Sequence, residues 1–162
     1  MIRAMTEADF KAFWPTFSAV IKAQETYAYR ADMTQEQAYE VWCTLPAKTY
    51  VFEEEGEVLA TYYLKANAMG PGDHVCNCGY IVSEKARGKG LARKLCEHSQ
   101  QVARNLGFTG MQFNAVVSTN RVAVQLWQKL GYDIIGTVPN AYRHGRLGKV
   151  DCLIMYKDIS QD

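Results

Sequence analysis

No apolar run in the 162 residues approaches the length of a membrane-spanning helix, and neither sign of charge dominates. Eighteen Lys and Arg against 17 Asp and Glu leave a net charge of +1, which provides no basic stripe for a nucleic-acid partner. The opening carries Arg3, then Glu7 and Asp9, and lacks the apolar core of a secretory leader. Internal repeats, linkers and low-complexity tracts are also missing, so one domain over residues 1–162 is expected. The five cysteines (Cys43, Cys76, Cys78, Cys96 and Cys152) have no framework spacing, and their odd number suits a reducing cytoplasm. Cys76 and Cys78 share one face of a strand. A metal there needs two more ligands and only His74 is near, so no metal site is expected.

What the chain does have is 48% hydrophobic residues, enough for an ordinary buried core, and one conspicuous loop. An extended apolar run over 75–82 is followed by Ala86-Arg87-Gly88-Lys89-Gly90-Leu91-Ala92 and then by helical periodicity. Two glycines at the start of a helix leave backbone N–H groups uncovered where the dipole is positive, an arrangement that binds phosphate or pyrophosphate. Arg87 and Lys89 add charge at the same mouth. A dinucleotide fingerprint would need Gly or Ala where Arg93 stands, and the Walker spacing is absent. What remains is Arg-x-x-Gly-x-Ala (Arg87, Gly90, Ala92) after a strand.

Periodicity gives strand, helices, three strands, helix, strand, helix, two strands, a mixed α/β sheet whose central strand–helix–strand unit is parallel and right-handed. Strands are expected at 2–5, 49–54, 58–65, 74–82, 110–117, 132–138 and 152–157. Thr6 reads as a helix cap, and Pro15 is expected to interrupt or kink the helix that follows. The stretch 24–29 reads as partly irregular. Thr34-x-x-Gln37 opens a second helix with Ala38, Val41, Trp42 and Leu45 turned inward. The helix after the glycine loop presents Leu91, Leu95, Val102 and Leu106 to the core and Gln100, among others, to solvent. Asn120 begins the last helix, which stops at Gly131.

A second motif completes the pattern. Ser118-Thr119-Asn120 leads into Leu126-Trp127-Gln128-Lys129-Leu130-Gly131-Tyr132. With Arg87, Gly90 and Ala92 about 30 residues earlier, it resembles the paired signatures of the GNAT superfamily of N-acetyltransferases, and the similarity extends over the whole chain. The resemblance implies a GNAT fold of about seven strands and four helices with a splayed parallel pair at its centre, and acetyl-CoA as co-substrate. The backbone around Tyr80, Ile81 and Val82 would pair with the pantetheine arm, and Arg87, Gly88, Lys89, Gly90 and Ala92 would hold the pyrophosphate. Asn120 would face the coenzyme or simply cap its helix. Trp127 stands where the family has a tyrosine that protonates the departing thiolate. An indole N–H donates but cannot serve as an acid at neutral pH, so Trp127 packs, or lines the acetyl or pantetheine tunnel.

The polar work is therefore expected from amides. Asn77 and Asn114 lie in apolar surroundings on the two central strands, where a splay would bring both to the cleft, to hold a carboxylate or polarise the acetyl carbonyl. Alternatively each satisfies a backbone group freed by the splay. The run His-x-x-Asn-x-Gly-Tyr, with Phe-Asn-x-Val-x-x-Thr-Asn, resembles a branch acting on small amino acids and cyclic imino acids such as azetidine-2-carboxylate, which makes Asn77 and Asn114 substrate-positioning residues. Glu25, Tyr27 and Tyr29 would form a lid over the acceptor, and Tyr142, expected in the loop after the sixth strand, would line the site. The activity implied is acetyl transfer to the amine of a small molecule; the alternatives are a protein or peptide N-acetyltransferase and a non-catalytic CoA-binding sensor. A homodimer is also expected, with Tyr62 and Tyr63 either at its seam or facing the helices.

Overall fold

The computed structural model describes residues 1–160. Strand β1 (Ile2–Ala4) runs into α1 (Glu7–Ala23) through a reciprocal cap: Thr6 Oγ1 accepts the Asp9 N–H at 3.2 Å and Asp9 Oδ2 accepts the Thr6 N–H at 2.8 Å. Of the two outcomes expected at Pro15, interruption does not occur: the helix runs through it. Pro15 and Lys11, whose carbonyl loses its partner, lie on the exposed side, while Phe10, Phe13, Phe17 and Ile21 anchor the other side. The next helix, α2 (Gln35–Tyr39), has the same kind of box between Thr34 and Gln37, then widens into a π-turn over Glu40–Thr44. The Leu45 N–H reaches back five residues to the Glu40 carbonyl at 2.9 Å. The wider turn keeps Trp42 inside but rotates Leu45 to solvent, correcting the inward position expected for it.

The remaining strands are β2 (Lys48–Glu54), β3 (Glu57–Ala66), β4 (Val75–Val82), β5 (Gly110–Val117), β6 (Asp133–His144) and β7 (Gly148–Asp158), and the remaining helices are α3 (Leu91–Asn105) and α4 (Arg121–Lys129). The described residues form one seven-stranded sheet in the order β1-β2-β3-β4-β5-β7-β6, with β4 and β5 its parallel pair. This is the mixed α/β arrangement expected. One face packs Tyr62, Leu64, Cys76 and Cys78 against Leu91 and Leu95 of α3. The other packs Tyr63 and Ile81 against Phe10, Phe13, Phe17 and Trp42. Tyr62 and Tyr63 thus point into opposite cores, which removes both from any dimer seam.

Two further expectations change. Gln100 is buried, donating to the Tyr132 hydroxyl at 3.1 Å and accepting from Lys157 Nζ at 3.0 Å, because α3 lies with that edge against the β7 side of the sheet. Strand β6 continues well past residue 138: irregularities between Val138 and Tyr142, with Asn140 at φ +53°, carry the pairing around Pro139. An edge strand tolerates such a proline, having one unpaired side.

An ionic knot fixes the first strand to the first helix. Arg3 donates to both oxygens of Asp9 at 2.6 and 2.9 Å and to Glu53 at 2.7 Å. The guanidinium holds the Asp9 carboxyl down at about 2, aided by the Thr6 backbone and hydroxyl, against a desolvation that opposes it. A depressed folded-state value stabilises the protein above the unfolded carboxylate range near pH 4, and that contribution disappears as pH falls through about 2. Denaturant titrations between pH 5 and 2 should therefore show a stability slope that Asp9→Asn flattens.

Candidate active site at the gap between the parallel strands

Strands β4 and β5 pair only at Val75–Gly110 and Cys76–Met111, after which they part. Beyond that point the inner edge of β4 has no strand beside it. Tyr27 occupies part of this edge: its hydroxyl accepts the Tyr80 N–H at 2.6 Å and donates to the Tyr80 carbonyl at 2.7 Å. Because main-chain groups alternate in direction along an antiparallel ladder, Cys78 and Val82 face the gap as Tyr80 does, whereas Gly79 and Ile81 face β3. The Ser83 N–H, bonded to the Leu59 carbonyl at 2.8 Å, fits the same alternation. Of the three residues whose backbone was expected to receive pantetheine, Ile81 is thus corrected, because its main chain belongs to the β3 ladder. Tyr80 is already bonded to Tyr27, and Val82 presents a free edge.

Asn77 bridges the start of the gap. Its Nδ2 donates to the Gln112 carbonyl on β5 at 2.9 Å and its Oδ1 accepts the Tyr63 hydroxyl at 2.8 Å. The amide that sequence suggested for catalysis therefore clamps the two strands where they separate. Asn114 sits at an irregularity of β5 between Phe113 and Val116, which turns it out into the open. Its Oδ1 accepts from Gln112 Nε2 at 3.1 Å, and its Nδ2 donates to Asn67 Oδ1 at 2.7 Å.

A cavity of about 950 Å³ runs through the gap and opens on both faces of the sheet. On the α3 side it is walled by Arg87, Gly88, Gly90 and Ala92, and by Asn120 and Trp127 of the last helix and its cap. Gly88 and Gly90 have φ of +79° and +75°, so each needs the freedom of glycine, and an added Cβ would meet nothing within 4 Å. The first turn of α3 carries no side-chain cap and no acid, so its N–H groups and dipole stay available. Lys89, expected in the set, is exposed and absent from the wall, since it stands between two left-handed glycines. Asn120 Oδ1 accepts the Ala123 N–H at 3.4 Å as a helix cap while its residue lines the cavity. Trp127 is buried against Tyr80 and Phe113 in tilted ring contacts, centroids 5.2 and 5.0 Å away, and lines the cavity.

On the other face the wall consists of Tyr27, Tyr29, Tyr63, Lys65, Asn77 and Glu25. The segment 24–29 crosses this face as an irregular strap, as its composition suggested. Tyr27 and Tyr29 stack at 5.8 Å and 7° within it. Desolvation pushes the Tyr27 phenol well above its usual range, with Tyr63 and Tyr29 adding to the effect, and raises Tyr29 to about 12. Tyr142 corrects a second expectation: it lies within β6, behind the wall, and its hydroxyl donates to the Tyr27 carbonyl at 3.0 Å. Glu25 pairs with Arg146 of the β6–β7 turn at 3.6 Å. Sequence reading missed Tyr63 and Lys65; their signal was a period-two Tyr-x-Lys at the end of β3, opposite Gly79 and Asn77. Among the described residues no group of His, Cys, Asp or Glu could hold a metal ion, and no helix is long and apolar enough to cross a membrane.

A family model described as "Acetyltransferase (GNAT) family" matches residues 10–132. The chain belongs to this family. It is an acetyltransferase whose reaction class is acetyl-CoA-dependent N-acetylation. Among its relatives, N-acetyltransferase aca1 of Schizosaccharomyces pombe is 30% identical over 151 residues, covering 83% of this chain and 72% of that protein. A GCN5-related N-acetyltransferase from Kribbella flavida is 41% identical, with a TM-score of 0.92 over 98% of this chain and 96% of that one. The fold is shared with yncA of Salmonella typhimurium, solved with its cofactor acetyl-CoA: TM-score 0.85, 21% identity, 100% of this chain and 95% of that one.

The two hydrogen bonds of Tyr27 to a main chain that has no strand partner make it a structural plug. Tyr27→Phe leaves the Tyr80 N–H and carbonyl without that partner, and should lower unfolding free energy by about 1–3 kcal/mol in urea titrations.

Proposed function

We infer that the protein acetylates the amine of a small amino acid or imino acid, using acetyl-CoA. The observation that carries this reading is the strap over the acceptor face. It is tied down at three separate places: Tyr27 to Tyr80, Tyr142 to the Tyr27 carbonyl, and the Gly145 N–H to the Gln24 carbonyl at 2.7 Å. A peptide would need an open groove where the strap lies. The space left under it is walled by three phenol rings, an amide and a lysine, dimensions and chemistry suited to a compact polar molecule with a carbon skeleton.

The residues on the α3 side fit acetyl-CoA. The uncapped first turn of α3, the two left-handed glycines and Arg87 would hold its pyrophosphate, with the exposed edge at Val82 and Cys78 left for its arm. Acetyl-CoA supplies the acetyl group and departs as the thiol. Asn77 ties the two strands together where they part, and with Asn114 it positions the acceptor. The phenols keep their protons and act as hydrogen-bond donors, and the aromatic walls exclude water. Glu25, at the edge of the strap, would face the acceptor beside Arg146. The five thiols carry no disulfide, in keeping with a cytoplasmic enzyme, and a homodimer would have to use a surface other than Tyr62 and Tyr63.

Thiol release from acetyl-CoA against amino acids, imino acids, polyamines and short peptides tests the reading. Turnover of free amino or imino acids and not of peptides is expected; turnover of peptides alone would overturn it. Tight CoA binding with no turnover of any amine would point instead to a sensor.

Two variants probe the parts. Gly90→Val forces a β-branched residue into the left-handed region and fills the phosphate mouth. CoA affinity by calorimetry should fall by about tenfold or more with the circular dichroism spectrum retained. Trp127→Phe keeps an aromatic ring beside Tyr80 and Phe113 but loses the five-membered part of the indole together with its N–H. Turnover within about threefold of the parent is expected, and a larger loss at unchanged stability would assign the indole, by its shape or its N–H, a part in the reaction.

A further inference from the structure

We propose that Lys65 recognises the carboxylate of the acceptor, so that the enzyme selects amino and imino acids over amines that lack one; this rests on the small-acceptor reading above. Lys65 lies at the end of β3, directly across the ladder from Asn77 and on the same face as Tyr63. Its Nζ stands 5.5 Å from the Tyr63 ring centroid, which leans the ammonium over the aromatic wall.

The charges on the cavity wall separate by face. Arg87, Arg93 and Lys129 belong to the α3 and α4 side, and among the described residues of the wall Lys65 and Glu25 are the charged ones on the acceptor side. Glu25 already has Arg146 at 3.6 Å, whereas Lys65 has no carboxylate partner among the described residues. Lys65 stands exposed at the mouth of the cleft, beside the Tyr63 ring and without such a partner, so its ammonium is available to an anion that enters there.

The neutral groups around it favour an anion too. The hydrogen-bonded chain runs Tyr63 O–H to Asn77 Oδ1, Asn77 Nδ2 to the Gln112 carbonyl, Gln112 Nε2 to Asn114 Oδ1, and Asn114 Nδ2 to Asn67 Oδ1. Each of Asn77 and Asn114 keeps a second amide N–H beyond these bonds. The ammonium and any remaining amide N–H are donors, and a carboxylate is an acceptor-only ligand. A polyamine would instead set a cation against Lys65, and a peptide acceptor a neutral amide. The stacked Tyr27 and Tyr29 rings and the edge of Tyr63 then receive the carbon skeleton.

The experiment compares alanine and proline with their methyl esters as acceptors, at saturating acetyl-CoA, for the parent and for K65M and K65R. Calorimetric binding of the same acids to the CoA-bound protein gives a readout independent of turnover. The parent should prefer acid to ester by about tenfold or more in kcat/KM, as loss of a charge-assisted hydrogen bond implies. K65M should raise KM for the acids by a similar factor with kcat within about threefold, remove the preference over the esters and weaken calorimetric binding. K65R should restore most of both. Because Lys65 is exposed, melting temperatures are expected to stay level, and they check that the fold is intact. Acids turned over by K65M with an unchanged acid-to-ester ratio would overturn the role of Lys65 and leave the small-acceptor reading standing. A parent that acetylates peptides and neither acids nor esters would overturn both.

Discussion

The parting of β4 from β5 after Cys76 is the constraint on which the rest of the molecule depends. A sheet satisfies its backbone by pairing neighbours, and a gap at its centre removes that pairing from the most buried strands. The chain answers with side chains. Asn77 Nδ2 stands in for a β4 donor to the Gln112 carbonyl, and the Tyr27 hydroxyl stands in for a whole strand residue at Tyr80. Leaving such groups unpaired costs about 1–3 kcal/mol each. The cavity is therefore held open by polar plugs, and these same plugs form its walls.

This arrangement also bears on the proton balance. The phenols on the acceptor wall are desolvated, and Tyr29 is raised to about 12. A thiolate whose conjugate acid lies near the ordinary thiol value of about 8.5 is a weaker base than such a phenolate. Proton transfer from these phenols to the sulfur would run uphill by several pKa units, so they serve as fixed donors. With Trp127 packed against Tyr80 and Phe113, no acid stands at the position where the resemblance would put one. A thiolate at neutral pH takes its proton from solvent in any case, and the substitution at 127 is compatible with turnover.

The fold was legible because its punctuation is local. Thr6, Thr34 and Asn120 act as caps and Gly131 as a stop, each from side-chain or backbone geometry within a few residues of itself. The glycine loop was legible for the same reason. Distant packing decided what the local signal left open or got wrong: α1 runs through Pro15 because four apolar side chains hold its other face, and the π-turn rotates Leu45 outward while keeping Trp42 against Thr61. At the site, sequence brought Asn77 and Asn114 to the gap, but the partners that determine their availability come from elements far apart in the chain. Tyr63, Asn67 and Gln112 carry no motif of their own, and a lysine at the end of a strand reads as ordinary surface until the ladder sets it opposite Asn77.

The longest departure from expectation, the extension of β6 to His144, has a single physical purpose. Extending β6 and β7 carries their turn across to the strap, where the Gly145 N–H meets the Gln24 carbonyl at 2.7 Å and Tyr142 meets the Tyr27 carbonyl at 3.0 Å. Only glycine fits at 145, since a Cβ there would sit 2.6 Å from the Ala23 carbonyl oxygen. The Glu25–Arg146 pair adds a weak third tie that is open to solvent. Tyr142 therefore acts on the site through Tyr27: it fixes the strap carbonyl, the strap fixes the Tyr27 ring, and the ring's hydroxyl closes the edge of β4. A chain of contacts from the β6–β7 hairpin thus bears on the cleft formed by the central strands, and gives an otherwise irregular six-residue segment a definite place over the cavity.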